Sequence, residues 1–260
     1  PVIFFWAITF DWSLNDPFSG TILSHQLSRK FVLWLLIGSF TVIAPVTIRN
    51  LLNGEDTVLV AANGGINFFT GNNPTADGFS PILPGIQWQR AKRLERSWGT
   101  LRPSQVSLNW WKEGFKFWYH HPLNGAKLLV KKFLFFVKDR ELPNSRDFLL
   151  ARRDSRLLNI PFPTFGIIFP LAVFGIWRLR QTLYRFWFLF IPVFPVFLTN
   201  LLFFTCAKYR ILAAPFFIML AAVGVQDLVR QARQAPVRSF ALTALVLMAL
   251  MAGAFAAPPG

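Results

Sequence analysis

Residues 63–79 read NGGINFFTGNNPTADGF, which places four glycines, four asparagines and a proline in one stretch. The side chains of Asn63, Asn67, Asn72 and Asn73 can each donate to and accept from sugar hydroxyls. Successive glycines let backbone N–H groups approach an anion or ligand closely. The alternative is a set of tight turns, since N-G, G-G and N-P are all turn signals. Either way the composition predicts an irregular loop rather than a regular helix. Its glycine spacing fits neither dinucleotide nor P-loop phosphate sites.

A second group lies in CAKYRILAAP, residues 206–215. Lys208 and Arg210 stand between two apolar runs, with the Tyr209 hydroxyl between them. Cations at membrane depth usually have a partner or a task. A lipid phosphate suits both, through the planar fork of Arg and the point charge of Lys. Snorkelling of two long side chains to the headgroups is the other reading. Arg49 ends an earlier apolar run and faces the same choice: a phosphate, a neighbouring carboxylate (Glu55 or Asp56), or the headgroups.

The remaining polar residues form no recognisable catalytic set. Glu55, Asp56, Asp77, Glu95, Glu113, Asp139, Glu141, Asp147 and Asp154 fall between two apolar regions, and none forms a pair at a familiar catalytic spacing. His120 and His121 are adjacent, which rarely lets both face one metal. Cys206 is the single cysteine, so an intramolecular disulfide and a cysteine metal cluster are excluded. No metal site is assigned, although the sequence leaves divalent-metal assistance open.

These groups need elements to hold them. Apolar runs at 31–48, 160–177, 186–207, 211–225 and 239–257 have about the length of membrane spans, for which roughly 20 helical residues are needed. Pro192 and Pro195 are expected to kink the third. Residues 2–10 resemble the tail of an earlier span. Basic clusters at Arg29/Lys30, Arg178–Arg185 and Arg230–Arg238 should share the cytoplasmic side. Residues 49–159 are then extracytoplasmic. Within them, 104–121 and 122–139 read as interfacial helices, the first rich in Trp and Phe, the second with Lys127, Lys131, Lys132 and Lys138 as a cationic face. The expected organisation is a first spanning part (1–48), an outer region (49–159) and a C-terminal bundle of about four spans (160–260).

Composition agrees. Of 260 residues 53% are hydrophobic and 17% aromatic, with a mean hydropathy of +0.42. A soluble core has too little room for so much apolar surface. The expected fold class is therefore all-α, a polytopic helical integral membrane protein. The net charge of +15 would ordinarily suggest nucleic acid, but the basic residues cluster at the ends of apolar runs, and no nucleic-acid reading motif appears. The chain opens at Pro1 within an apolar stretch and is expected to be a piece of a longer protein.

The run APVTIRNLLNGEDTVLVAANGGINFFTGNNPTADG resembles a segment of GT-C class membrane glycosyltransferases. These are the family 39-like enzymes related to protein mannosyltransferases and the aminoarabinose lipid A transferase. There a P-x-T-x-R-N-like span end precedes an N-G-G-x-N-x-x-x-G-N-N-P-like loop. CAKYRILAAP resembles their later basic turn, with Lys208 at its first basic position, Arg210 at its second, and Leu212 where a proline is usual. HPLNGAKLLVKKFLFFV is similar to a lysine- and phenylalanine-bearing helix of the family, with His121 in place of Asn. The resemblance covers about residues 30–230. It implies transfer of a sugar from a polyprenyl-phosphate donor to a lipid, glycan or protein acceptor, on the outer face of the cytoplasmic membrane. It implies donor contacts from Arg49, Asn63, Asn67, Asn72, Asn73, Lys208, Tyr209 and Arg210. It places the catalytic acidic residue in an earlier outer loop, so no residue here is assigned as the base, and this piece alone is expected to be inactive. The alternative is a non-enzymatic lipid-binding scaffold or transporter subunit.

Overall fold

The computed structural model describes residues 25–54, 56–79, 85–142, 148–155, 163–186 and 189–256. The apolar stretch 2–10, Glu55, Asp147 and the last four residues lie outside them, and only the backbone of Arg29 and Lys30 is described. The described residues form helices and connecting segments, with no strand among them. The protein is all-α.

Helix α1 (His25–Gly54) contains a 23-residue apolar stretch, Val32–Gly54, none of which is buried within the protein. At 1.5 Å per residue that stretch is about 35 Å long, enough to cross a hydrocarbon core of about 30 Å. Its exposed Trp34, Phe40 and Val42 have no protein to pack on and suit lipid. Two further helices are long and apolar enough to cross: α9 (Ala207–Gln234, including a 3₁₀ turn at Ile211–Ala213) and α10 (Val237–Phe255). These make the chain a membrane protein.

Two expected spans are shorter than anticipated within the described residues. Helix α7 covers Phe165–Leu179, 15 residues, and α8 covers Phe190–Leu202, 13 residues. Each is about 20 Å long, short of the hydrocarbon thickness. Helix α8 stops because the chain turns at Phe203 and the following backbone is bound elsewhere: Thr205 N–H donates to the Gly78 carbonyl at 2.9 Å, and Cys206 N–H donates to Asn200 Oδ1 at 3.4 Å. Pro195 lies inside α8, while Pro192 falls in its first turn, where a missing N–H matters little.

Between these lie α2 (Gly64–Gly71), α3 (Ile86–Ser97), α4 (Pro103–His120), α5 (Pro122–Val137) and α6 (Phe148–Asp154). Helices α4 and α5 fall within two residues of the expected amphipathic segments. Pro122 opens α5 at a position that needs no N–H donor. The existence of α2 corrects the expectation of an irregular loop. Gly65 and Gly71 serve close packing: a Cβ on Gly65 would overlap the Ser107 carbonyl, and one on Gly71 would overlap the Phe203 carbonyl. Contact with α4 and with the turn after α8 outweighs the weak helix propensity of glycine. In this stretch only Gly78, at φ +94°, needs a left-handed backbone.

The C-terminal core forms where α7 and α9 cross. Gly175 of α7 and Gly224 of α9 meet so closely that a Cβ on either would overlap a carbonyl of the other helix, the small-residue contact favoured between membrane helices. Phe136, Phe165, Ala172, Phe217 and Leu220 are buried beside it. Lys138 and Asp139 fasten this bundle to α5. Lys138 Nζ donates to the Gly253 and Ala256 carbonyls at the end of α10 (2.8 and 3.0 Å). Asp139 Oδ1 accepts from Gly166 N–H at the start of α7 (2.7 Å). Each charge sits at the helix end its sign favours.

Candidate functional site

The Asn/Gly stretch touches the segment just before the basic turn, at Leu202, Phe203 and Thr205, and α5 packs beside both. Asn72 is 1% exposed. Its Nδ2 donates to the Phe68 carbonyl (2.8 Å) and, across 130 residues, to the Leu202 carbonyl (2.7 Å). Its Oδ1 accepts from Trp118 Nε1 and Lys132 Nζ, both at 3.1 Å. All four of its hydrogen-bonding positions are therefore filled by protein. Asn73 is similarly occupied. It donates to the Phe69 and Thr70 carbonyls and accepts from the Thr75 N–H and hydroxyl. Both asparagines hold the frame.

Lys132 departs from the expected cationic face. It is 0% exposed, and Gly125, Leu128, Lys132 and Phe135 form one buried stripe of α5. Its Nζ donates to Asn72 Oδ1 and the Leu201 carbonyl, both at 3.1 Å. Two acceptors match the two N–H bonds of a neutral amine rather than the three of an ammonium. No described carboxylate pairs with it. Burial accordingly pulls its pKa down from 10.5 to about 7.

Arg210, 3% exposed, neither snorkels nor stands open to a ligand. One terminal nitrogen donates to the Phe136 and Lys138 carbonyls (3.1 and 2.6 Å). The other donates to the Arg140 carbonyl (3.4 Å) and the Glu141 carboxylate (3.0 Å). The guanidinium also stacks 4.1 Å from the Phe165 ring centroid. It caps the end of α5, whose last carbonyls lack helical partners.

Of the other residues in the expected set, Lys208 and Asn63 are exposed and Asn67 and Tyr209 are half-buried. The Tyr209 ring rests against Phe204, centroids 5.7 Å apart. Arg49 lies apart from the basic turn in the sequence and lines a cavity of about 340 Å³ with Asn53, Asp56 and Pro103. Ser104 N–H donates to Asp56 Oδ2 at 2.6 Å. Hydrogen bonding from Ser104 holds this carboxyl below its usual range. Asp56 thus stabilises the N-terminus of α4.

The described carboxylates are mostly engaged in structure. Glu141 meets Arg210, Glu113 meets Lys116, and Glu95 meets Lys92. Asp227, which stands out in no motif, is 7% exposed. It gathers Arg178 (2.8 Å), Arg230 (2.6 Å) and Gln231 (2.6 Å), so two of the basic clusters used to infer orientation meet at one end of the bundle. Its position one turn before Arg230 was the available signal. Among the described residues no group of three His, Cys, Asp or Glu could hold a metal ion. Cys206 is buried.

Comparison with protein-family models, curated proteins and solved structures gave no match.

Proposed function

We propose that the chain is part of a polyprenyl-phosphate-sugar-dependent glycosyltransferase of the GT-C class, acting on a lipid, glycan or protein acceptor at the outer face of the cytoplasmic membrane. The observation that supports this is the junction of the Asn/Gly stretch with the segment leading into the basic turn, made by Asn72 to Leu202 and by Thr205 to Gly78. The first stretch resembles the family, and the second contact point leads directly into the other resembling stretch, about 130 residues on in the sequence. In this reading Asn72, Asn73 and Arg210 fix the frame. Arg49, Asn63, Asn67, Lys208 and Tyr209 are left to meet the donor. A cation beside the sugar phosphate stabilises the charge that grows on the departing polyprenyl phosphate. Asparagine amides orient the sugar hydroxyls. The base comes from an earlier outer loop.

The test is transfer of labelled sugar from polyprenyl-phosphate donors by the full-length protein in membranes. Transfer that falls in Lys208→Ala and Arg49→Ala without loss of folded protein supports the reading. Absence of transfer with every donor and acceptor class rejects it.

A second reading, a lipid-binding scaffold without catalysis, is favoured by the occupation of Asn72, Asn73 and Arg210 by protein partners. It is distinguished by donor binding without turnover in the same preparation.

A further inference from the structure

We propose that the pocket at the α4–α5 junction binds a phosphate group. The pocket, about 280 Å³, is lined by Asn73, Phe117, His121, Asn124, Lys127 and Lys131 among others, and no carboxylate lines it. Lys127 and Lys131 are one turn apart on α5, and both line the pocket. Neither forms an ion pair with a described residue, and the Lys131 ammonium has only the Phe135 ring, 5.9 Å from its centroid, as a recorded partner.

Unpaired like charges on one face repel unless an anion lies between them. His121, at the corner between the two helices, adds an imidazole to the opening. Asn124 adds an exposed carboxamide. Asn73 supplies a rigid wall, because its own side chain is fully bonded to the turn. Phe117 and Leu128 form an apolar floor. The volume accommodates a phosphate with a further substituent, so the ligand class is a phosphate ester. Its source is either a lipid headgroup or a soluble phosphate. This inference stands without the transferase reading, because phosphate occupancy requires no sugar transfer.

The test is competitive lysine acylation, read by mass spectrometry, on the full chain in phosphatidylcholine nanodiscs. Exposed Lys112 on α4 serves as the internal reference. Saturating inorganic phosphate, or phosphatidic acid included in the disc, is expected to slow acylation of Lys127 and Lys131 by about tenfold relative to Lys112. Protection by both probes, or by inorganic phosphate alone, supports a site for the phosphate group itself. Protection by phosphatidic acid alone supports the site and assigns the lipid headgroup as its source. The Lys127→Gln variant is expected to lose most protection at Lys131, with its thermal stability unchanged. The proposal is overturned if neither probe protects, if Lys112 is protected equally, or if Lys131 is protected as well in Lys127→Gln as in the parent.

Discussion

Replacing Lys132 by Met tests whether the protein holds a neutral amine in its interior. In the unfolded chain this amine has its ordinary pKa of 10.5, and in the folded protein it has one of about 7. Between those values the unfolded state binds more protons, so stability rises with pH through that window. Below about 7 both states are protonated and the folded state carries the full unfavourable contribution of a buried charge. Stability changes by about 1.4 kcal/mol per pH step of one where only the unfolded state is protonated, so the whole window is worth roughly 5 kcal/mol. From pH 7 to pH 9, starting half-titrated, the gain is about 2 kcal/mol. For a chain of this size that moves the midpoint by roughly 4–8 °C. The assay is thermal unfolding of parent and Lys132→Met in the same nanodiscs from pH 6 to pH 10. The parent minus variant difference isolates this group, because other titrations are common to both. The parent should gain about 2 kcal/mol on the variant between pH 7 and pH 9. Parallel profiles would refute a neutral buried Lys132.

Asn72→Asp places a carboxylate against the same amine and is expected to flatten the parent's rise in stability between pH 7 and pH 9 in the same assay, because the ion pair keeps Lys132 protonated. Arg210→Ala breaks a buried ion pair and three carbonyl contacts and is expected to cost about 3–5 kcal/mol in unfolding measurements. Arg210→Lys should restore less than half of that loss, because a single ammonium cannot replace the planar fork. Gly175→Leu forces α7 away from α9 and is expected to destabilise by about 1–3 kcal/mol or more, visible as a lowered melting midpoint. Lys208→Ala is expected to lower kcat/KM for a polyprenyl-phosphate donor by roughly tenfold, the worth of one charge-assisted hydrogen bond, while the melting midpoint stays unchanged.

The helical class and the positions of α4 and α5 were legible because apolar spacing and Pro122 mark them directly. The helix at Gly64–Gly71 was not. A glycine that permits a turn and a glycine that permits close packing are the same letter, and here Ser107 and Phe203 determine its role. Lys132 was partly legible, since Gly125, Leu128, Lys132 and Phe135 follow one helical stripe and a lysine on such a stripe is buried with it. Arg210 was not, because three of its four acceptors are backbone carbonyls about 70 residues away, and no side-chain pattern encodes those. Of the expected donor contacts, sequence identified the segment that carries Asn72 and Asn73. It could not show that their amides are already occupied.

The bond from Lys132 to the Leu201 carbonyl also sets an order of events during synthesis. The acceptor lies 69 residues downstream. At typical elongation rates of 5–20 residues per second, roughly 3–14 s pass between the two. During that interval the Lys132 amine lacks the Leu201 acceptor and the burial that lowers its pKa, so its protonated form is the stable one. Its burial needs the turn after α8, and the Lys138 bonds to the end of α10 close later still. Packing around Lys132 thus releases protons between its folded and unfolded pKa values, and more acidic conditions weaken that packing.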